Sequence, residues 1–383
     1  PPSPTPAWRN TRRRSPTTPP GPRRCGGNRR SAAGHSEDGR PRAAAALADA
    51  DSVRLVGTAD GDAAAAAGLL ARGLDAAGTP YQVSLAAIPD PPATDADCTV
   101  AVGHPTGDVA LEGGSVALEA AAVVAEFAPE AVDPELALAG AVCAGVEPSG
   151  HLLEAADLDR RPGVAVPTDD PIEGLAASTL VHAPFSGDGA TEVLEGHASD
   201  GRELASVVAL SAIEDAPPRA AEALERALRP YVTERFGTLG GFADVLDAVA
   251  RERPGTGIAL ALGHGVEPAA LASWRDHGGR AHAALLAADT GPHDGVYVLR
   301  LDVGSPALPG TVARLGLSYR SPEPVALAVT DGAAAAAGEA SVEAPMRAAA
   351  GALDGRTTAR NGRGAATFDG TAAGFTATFR EAV

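Results

Sequence analysis

The chain has 383 residues and a formal net charge of −18, and all 31 of its basic residues are arginine. No stretch reaches the roughly 18 uninterrupted apolar residues of a membrane helix, the Pro- and Arg-rich start carries no apolar leader segment, and Cys25, Cys98 and Cys143 are too far apart for a metal knuckle or a disulfide framework. These features lead us to expect a cytoplasmic protein of two or three domains, with no membrane partner and no disulfide framework.

Residues 1–42 hold ten Arg against only Glu37 and Asp38, so the rest of the chain is more acidic than the total implies. An acidic body without lysine, rich in Ala and with 3% aromatic residues, is halophilic in character. Dense carboxylates keep such a surface hydrated in strong salt. An acidic surface ordinarily argues against nucleic-acid partners. In strong salt, charges are screened over a few Å, and the acidity excludes no partner.

Residues 1–45 read as a disordered tail or a spurious upstream extension, with Pro, Arg, Ser and Gly in no period. The run Arg12-Arg13-Arg14 would suit a nucleic-acid tail if the segment is native. A short helix spans Arg42–Ala50, followed by strand Val53–Val56 and an alanine-rich helix, Ala63–Ala77. Between strand and helix lies Asp60-Gly61-Asp62. Strand, acidic loop and helix is how α/β proteins present carboxylates at a sheet edge. Asp60 and Asp62 suit either a helix cap or a divalent cation.

Strands Tyr81–Leu85 and Cys98–Val102 follow, then Gly103-His104-Pro105, a helix at Val116–Phe127 and an apolar, buried helix at Pro134–Cys143. Residues 163–200 read as loop-rich, with His182 at a strand end. Helical periodicity returns in Glu203–Ile213, Pro218–Thr233, Gly241–Arg251 and Pro268–Leu286. A last α/β unit has strand 295–301, helix Gly310–Tyr319 and strand Val325–Thr330. The low-complexity run Ala333–Ala337, a strand at Ala365–Phe368 and a closing helix at Thr371–Glu381 end the chain. Strands separated by helices at this spacing predict an α/β protein with a mostly parallel N-terminal sheet, a helical connector and a smaller C-terminal α/β domain.

Taken in order, these pieces resemble the DHH phosphoesterase family, in its RecJ-like branch, and the archaeal RecJ-like proteins of halophiles in particular. Gly57-Thr58-Ala59-Asp60-Gly61-Asp62-Ala63 sits where the family has its first metal motif, His-x-Asp-x-Asp-Gly. Gly113-Gly114-Ser115 resembles the helix start after the DHH signature, and Leu136–Val142 resembles the buried helix leading to the fourth motif. Residues 295–330 look like the start of the DHH-associated C-terminal domain. The resemblance implies domains at 46–200 (DHH-like), 201–290 (helical connector) and 291–383 (DHH-associated).

The resemblance also implies two-metal hydrolysis of phosphodiesters with Mn²⁺ or Mg²⁺. Its candidate metal ligands here are Asp60, Asp62, His104 and Asp108, and its candidate nucleic-acid contacts are Arg360, Asn361 and Arg363. The motifs depart from the family pattern at most positions. Thr58 stands at an aspartate position, His104 follows a glycine, no Asp-His-His occurs, and the fourth motif reads Val142-Cys143-Ala144-Gly145. A plainer reading makes His104 a turn residue and Asp108 a loop or cap residue. The implied function is a degenerate RecJ homologue kept as a single-stranded DNA-binding component, or one associated with GINS and the replicative helicase. The alternative is an active Mn²⁺- or Mg²⁺-dependent 5′→3′ single-stranded DNA exonuclease or oligonucleotide phosphodiesterase.

Overall fold

A computed structural model describes residues 39–90, 95–197, 200–293 and 295–383. Most of the expected N-terminal extension, residues 1–38, lies outside the described residues. Helix α1 (Gly39–Ala48) buries Ala43, Ala44 and Leu47, so the folded body reaches back across residue 45.

The N-terminal lobe continues with β1 (Val53–Thr58), α2 (Gly61–Ala77), β2 (Tyr81–Ala86), β3 (Cys98–Val102), β4 (Val109–Leu111), α3 (Val116–Phe127) and α4 (Pro134–Ala144). The strand order is β2-β1-β3-β4, and all pairs are parallel. The expected parallel sheet is therefore present. β1 lies between β2 and β3, so its carboxyl end opens in the middle of the sheet edge, where α/β folds gather functional loops. Asp60 caps α2, with Oδ1 accepting from the Ala63 amide, and Gly78 closes it at φ 72°. Ala63–Ala67 are at most 1% exposed. Their small side chains let α2 lie between the sheet and α3 and α4. Leu69, Leu70 and Leu74 are fully buried on the same helix, each contributing about 2 kcal/mol.

A run of helices follows: α5 (Gly150–Ala156), α6 (Pro171–Ala177), α7 (Ala190–Leu194), α8 (Gly201–Ile213), α9 (Arg219–Glu225), α10 (Leu239–Glu252), α11 (Pro254–Ala261) and α12 (Glu267–Ala287). The stretch expected to be loop-rich thus carries two short helices, α6 and α7. His182 is in neither a helix nor a strand. The helix expected over Pro218–Thr233 ends at Glu225. Arg229 takes φ 52°, and Pro230 follows it without a backbone donor. α10 is part of the N-terminal core, because Phe242, Leu246 and Val249 share one cluster with Leu69 and Leu70.

The C-terminal lobe holds β5 (Asp289–His293), β6 (Val296–Arg300), α13 (Leu308–Tyr319), β7 (Val325–Thr330), β8 (Ala333–Gly338), α14 (Glu343–Gly351), β9 (Arg356–Arg360), β10 (Arg363–Thr367) and α15 (Ala372–Ala382). Its strand order is β5-β6-β7-β8-β10-β9, antiparallel except for β6 with β7. The alanine run expected as low complexity is a central strand, β8. Ala335 and Ala337 pack in the cluster of α13, and Ala334 and Ala336 in that of α14 and α15. Alanine favours helix. Here the ladder with β7 and β10 and burial on both faces override that preference.

Candidate functional site

The hairpin β9–β10 reaches from the C-terminal lobe to the carboxyl edge of the parallel sheet. Arg360, the last residue of β9, donates from Nη1 to Asp62 Oδ2 at 2.8 Å and to the Gly113 carbonyl at 3.3 Å. Its Nη2 lies 3.7 Å from Asp60 Oδ1. Asn361 donates to the Gly114 carbonyl at 2.6 Å, and Arg363 donates to the Cys143 carbonyl at 2.7 Å. The three expected nucleic-acid contacts therefore each donate to the N-terminal lobe. At the base of the hairpin, Arg356 donates to the Pro89 carbonyl and pairs with Asp90 at 3.4 Å.

Asp62 is enclosed. Its Oδ1 accepts from the Ser115 hydroxyl at 2.8 Å and the Ala117 amide at 2.9 Å. Its Oδ2 accepts from the Val116 amide at 2.9 Å as well as from Arg360. The two amides belong to the first turn of α3, whose positive end attracts an anion. Burial pushes the Asp62 carboxyl up, and the Arg360 guanidinium opposes that push. Asp60 accepts from the Thr58 hydroxyl at 2.6 Å through Oδ2, besides capping α2.

His104, just past β3, is buried. The Thr106 amide donates to its Nδ1 at 3.3 Å, so the proton sits on Nε2 and is donated to the Val56 carbonyl at 2.9 Å. Neither nitrogen keeps a lone pair for a metal, and burial lowers its pKa. Asp108 is exposed and accepts from the Thr99 amide at 2.9 Å. It is not among the residues that line the cavity beside Asp60 and Asp62.

Sequence reasoning missed the residues beneath this edge. Asp247 of α10 accepts from the Gly61 amide at 2.9 Å and from both Nε and Nη2 of Arg251, at 2.9 and 3.1 Å. That two-pronged pair outweighs burial and holds the Asp247 carboxyl well below the usual range, although burial is the largest single influence on it. Gly61 has to be glycine, because a Cβ there would strike Cys143 Sγ and the Asp247 backbone. The only sequence trace of the pair is Asp and Arg at i and i+4 on one helix. A cavity of about 160 Å³ opens between the lobes, with Thr58, Asp60, Asp62, Arg251 and Arg360 on one side and the alanines of β8 on the other.

This arrangement does not fit a two-metal centre. Two metals need several carboxylate or imidazole ligands converging with free lone pairs. Among the described residues, no three His, Cys, Asp or Glu side chains converge in that way. A guanidinium already rests against the acidic loop.

The chain is 49% identical over 375 residues to the protein rrnAC1427 of Haloarcula marismortui, covering 89% of this chain and 95% of that protein. Residues 288–381 match the family model described as the C-terminal domain of uncharacterized protein rrnAC1427. Among solved structures, CDC45 from Entamoeba histolytica aligns at a TM-score of 0.54 and 9% identity, over 87% of this chain and 95% of that one. RecJ from Thermus thermophilus in complex with Mn²⁺ aligns at 0.49 and 18% identity over 90% of this chain. This chain spans about half of that RecJ, 54% of its length. The chain belongs to the family of the Haloarcula marismortui protein rrnAC1427, and it shares its fold with CDC45 from Entamoeba histolytica.

Proposed function

We propose that this chain is a RecJ-like protein of DNA replication or repair that works without a metal centre. It acts as a component that binds single-stranded DNA or associates with GINS and the replicative helicase. The observation that carries this reading is the ion pair between Arg360 and Asp62, at 2.8 Å. The acidic loop that would serve metal ions instead serves an arginine from the other lobe. The shared fold with CDC45 is consistent with a role in protein assembly.

The test is degradation of 5′-labelled single-stranded DNA by pure protein in molar KCl with Mn²⁺ or Mg²⁺, alongside a pull-down of GINS and helicase subunits. We expect no products and a specific pull-down or gel shift. The second reading, a Mn²⁺- or Mg²⁺-dependent 5′→3′ exonuclease or oligonucleotide phosphodiesterase, draws on Asp60, whose side chain keeps 25% exposure and lines the cavity. Manganese-dependent products that disappear in Asp60→Ala would establish the enzyme and remove the first reading.

A further inference from the structure

The chain contains three asparagines, Asn10, Asn28 and Asn361, and of these Asn361 alone precedes a glycine. A glycine presents its backbone nitrogen with no Cβ beside it, so that nitrogen can reach the carbonyl carbon of a preceding asparagine side chain. Asparagine is for this reason a heat-labile residue.

Asn361 and Gly362 form the two-residue turn between β9 and β10. Their φ values are 52° and 69°, the left-handed pair that such a turn favours and that Asn-Gly supplies. The turn itself does not shield the pair. Asn361 is exposed, and the Gly362 N–H has no hydrogen-bond acceptor among the described residues. What restrains the side chain lies in the other lobe, where the Gly114 carbonyl accepts from Asn361 Nδ2 at 2.6 Å. Arg360 and Arg363 hold the same turn in place, through Asp62 at 2.8 Å and the Cys143 carbonyl at 2.7 Å.

We propose that Asn361 is a deamidation site whose reactivity is set by the contact between the lobes. The Gly362 nitrogen gives up its proton and bonds to Asn361 Cγ. The Cγ–Nδ2 bond breaks, and the leaving nitrogen takes up a proton to depart as ammonia. Water then opens the five-membered imide at one of its two carbonyls. One opening gives aspartate, and the other gives isoaspartate, in which the main chain runs through the side-chain carbon. While Nδ2 is bonded to Gly114, the amide is kept from turning onto the Gly362 nitrogen, and the reaction proceeds when the hairpin lifts from the N-terminal lobe. Either product acts back on that contact. A carboxylate has no N–H for the Gly114 carbonyl, and its charge competes with Asp62 for Arg360. Isoaspartate also lengthens the backbone of a two-residue turn, whose length sets the pairing of its strands. The joint between the lobes therefore loosens irreversibly as the protein ages.

The test is incubation of the full chain in mildly alkaline buffer made with heavy-oxygen water. Peptide mass analysis reads amide loss and heavy-oxygen uptake at position 361, with the same chain unfolded in urea giving the unrestrained rate. We expect wild type to convert more slowly than the unfolded chain. Arg360→Ala should convert about 10-fold faster than wild type, as loss of one charge-assisted hydrogen bond from an opening equilibrium predicts. Converted protein, separated by its added negative charge, should exchange the Val116 and Ala117 amides faster, because both donate to Asp62. Asn361→Asp, a change at an exposed position, should show the same faster exchange and carries the test if Arg360→Ala does not fold. Wild type converting as fast as the unfolded chain, no conversion in either folded protein while the unfolded chain converts, or unchanged exchange in Asn361→Asp would overturn the proposal. Neither metal nor nucleic acid takes part, so the outcome is independent of the proposed function.

Discussion

Arg360 and Asp62 are 298 positions apart in the chain and meet at 2.8 Å, the guanidinium being 15% exposed and the carboxylate 2%. The contact joins the last residue of β9 to the first turn of α2, and so the C-terminal lobe to the carboxyl edge of the parallel sheet. Asn361 and Arg363 reinforce it through backbone carbonyls on either side.

Arg360→Ala leaves Asp62 buried without its cation. Removing one partner of a buried pair costs about 3–5 kcal/mol. The expected result is a lower denaturant midpoint, with a smaller loss in Arg360→Ala combined with Asp62→Asn, since the double variant leaves no buried charge. A single variant as stable as the wild type would show that the contact is marginal.

Mn²⁺ and Mg²⁺ should leave the thermal midpoint unchanged. A resident metal at a hundredfold its Kd would add about 2.7 kcal/mol of stability. Asp62 and His104 already spend their acceptors on protein donors. Thermal unfolding with EDTA, then with millimolar Mn²⁺, reads the difference. A clear upward shift that Asp60→Ala cancels would mean that the loop binds metal after all.

Stability should fall in mild acid through a histidine pair. His282 donates from Nε2 to the Ser178 carbonyl at 3.0 Å, so its Nδ1 accepts, at 3.1 Å, from Nδ1 of His182. Both rings are buried and stacked. Burial, with His282 beside it, pushes His182 down to about 3. A histidine in the unfolded chain titrates near 6.5, so below that pH the unfolded state binds more protons and folding loses stability. The loss is absent above the unfolded pKa and accumulates as pH falls from about 6.5 towards 3, by at most about 1.4 kcal/mol per pH unit. Denaturant midpoints at pH 7.5, 6 and 5 should show a shallower decline in His182→Gln than in the wild type. Parallel declines would remove the pair as the cause.

Gly61→Ala places a methyl group against Cys143 Sγ and the backbone of Asp247. Overpacking of this kind costs about 1–3 kcal/mol. Its reach should extend to the contact between α2 and α10, read as faster amide exchange at Gly61, whose N–H donates to Asp247. Wild-type exchange at that amide would show that the chain accommodates the methyl freely.

The elements with a strong local signal were legible in the sequence. β3 and α3 span the expected Cys98–Val102 and Val116–Phe127, because a continuous apolar run and a Ser-capped amphipathic stretch are dictated by residues close in the chain. The parallel sheet followed from strands alternating with helices, and the position of Asp60 and Asp62 at its carboxyl edge from their place after β1. What these carboxylates bind was not legible. Their partners are Arg360, Ser115 and the amides of α3, and a long-range pair leaves no period or spacing to read. Asp247 and Arg251 were invisible as part of the site for the same reason. Ala333–Ala337 reads as low complexity because alanine carries little strand signal, and only the ladder with β7 and β10 makes it a strand. Local periodicity and capping thus determine most of the elements, and strand pairing decides the rest. Which charges meet at the sheet edge is decided by packing between lobes, since it depends on residues that only the closed tertiary structure brings within hydrogen-bond reach.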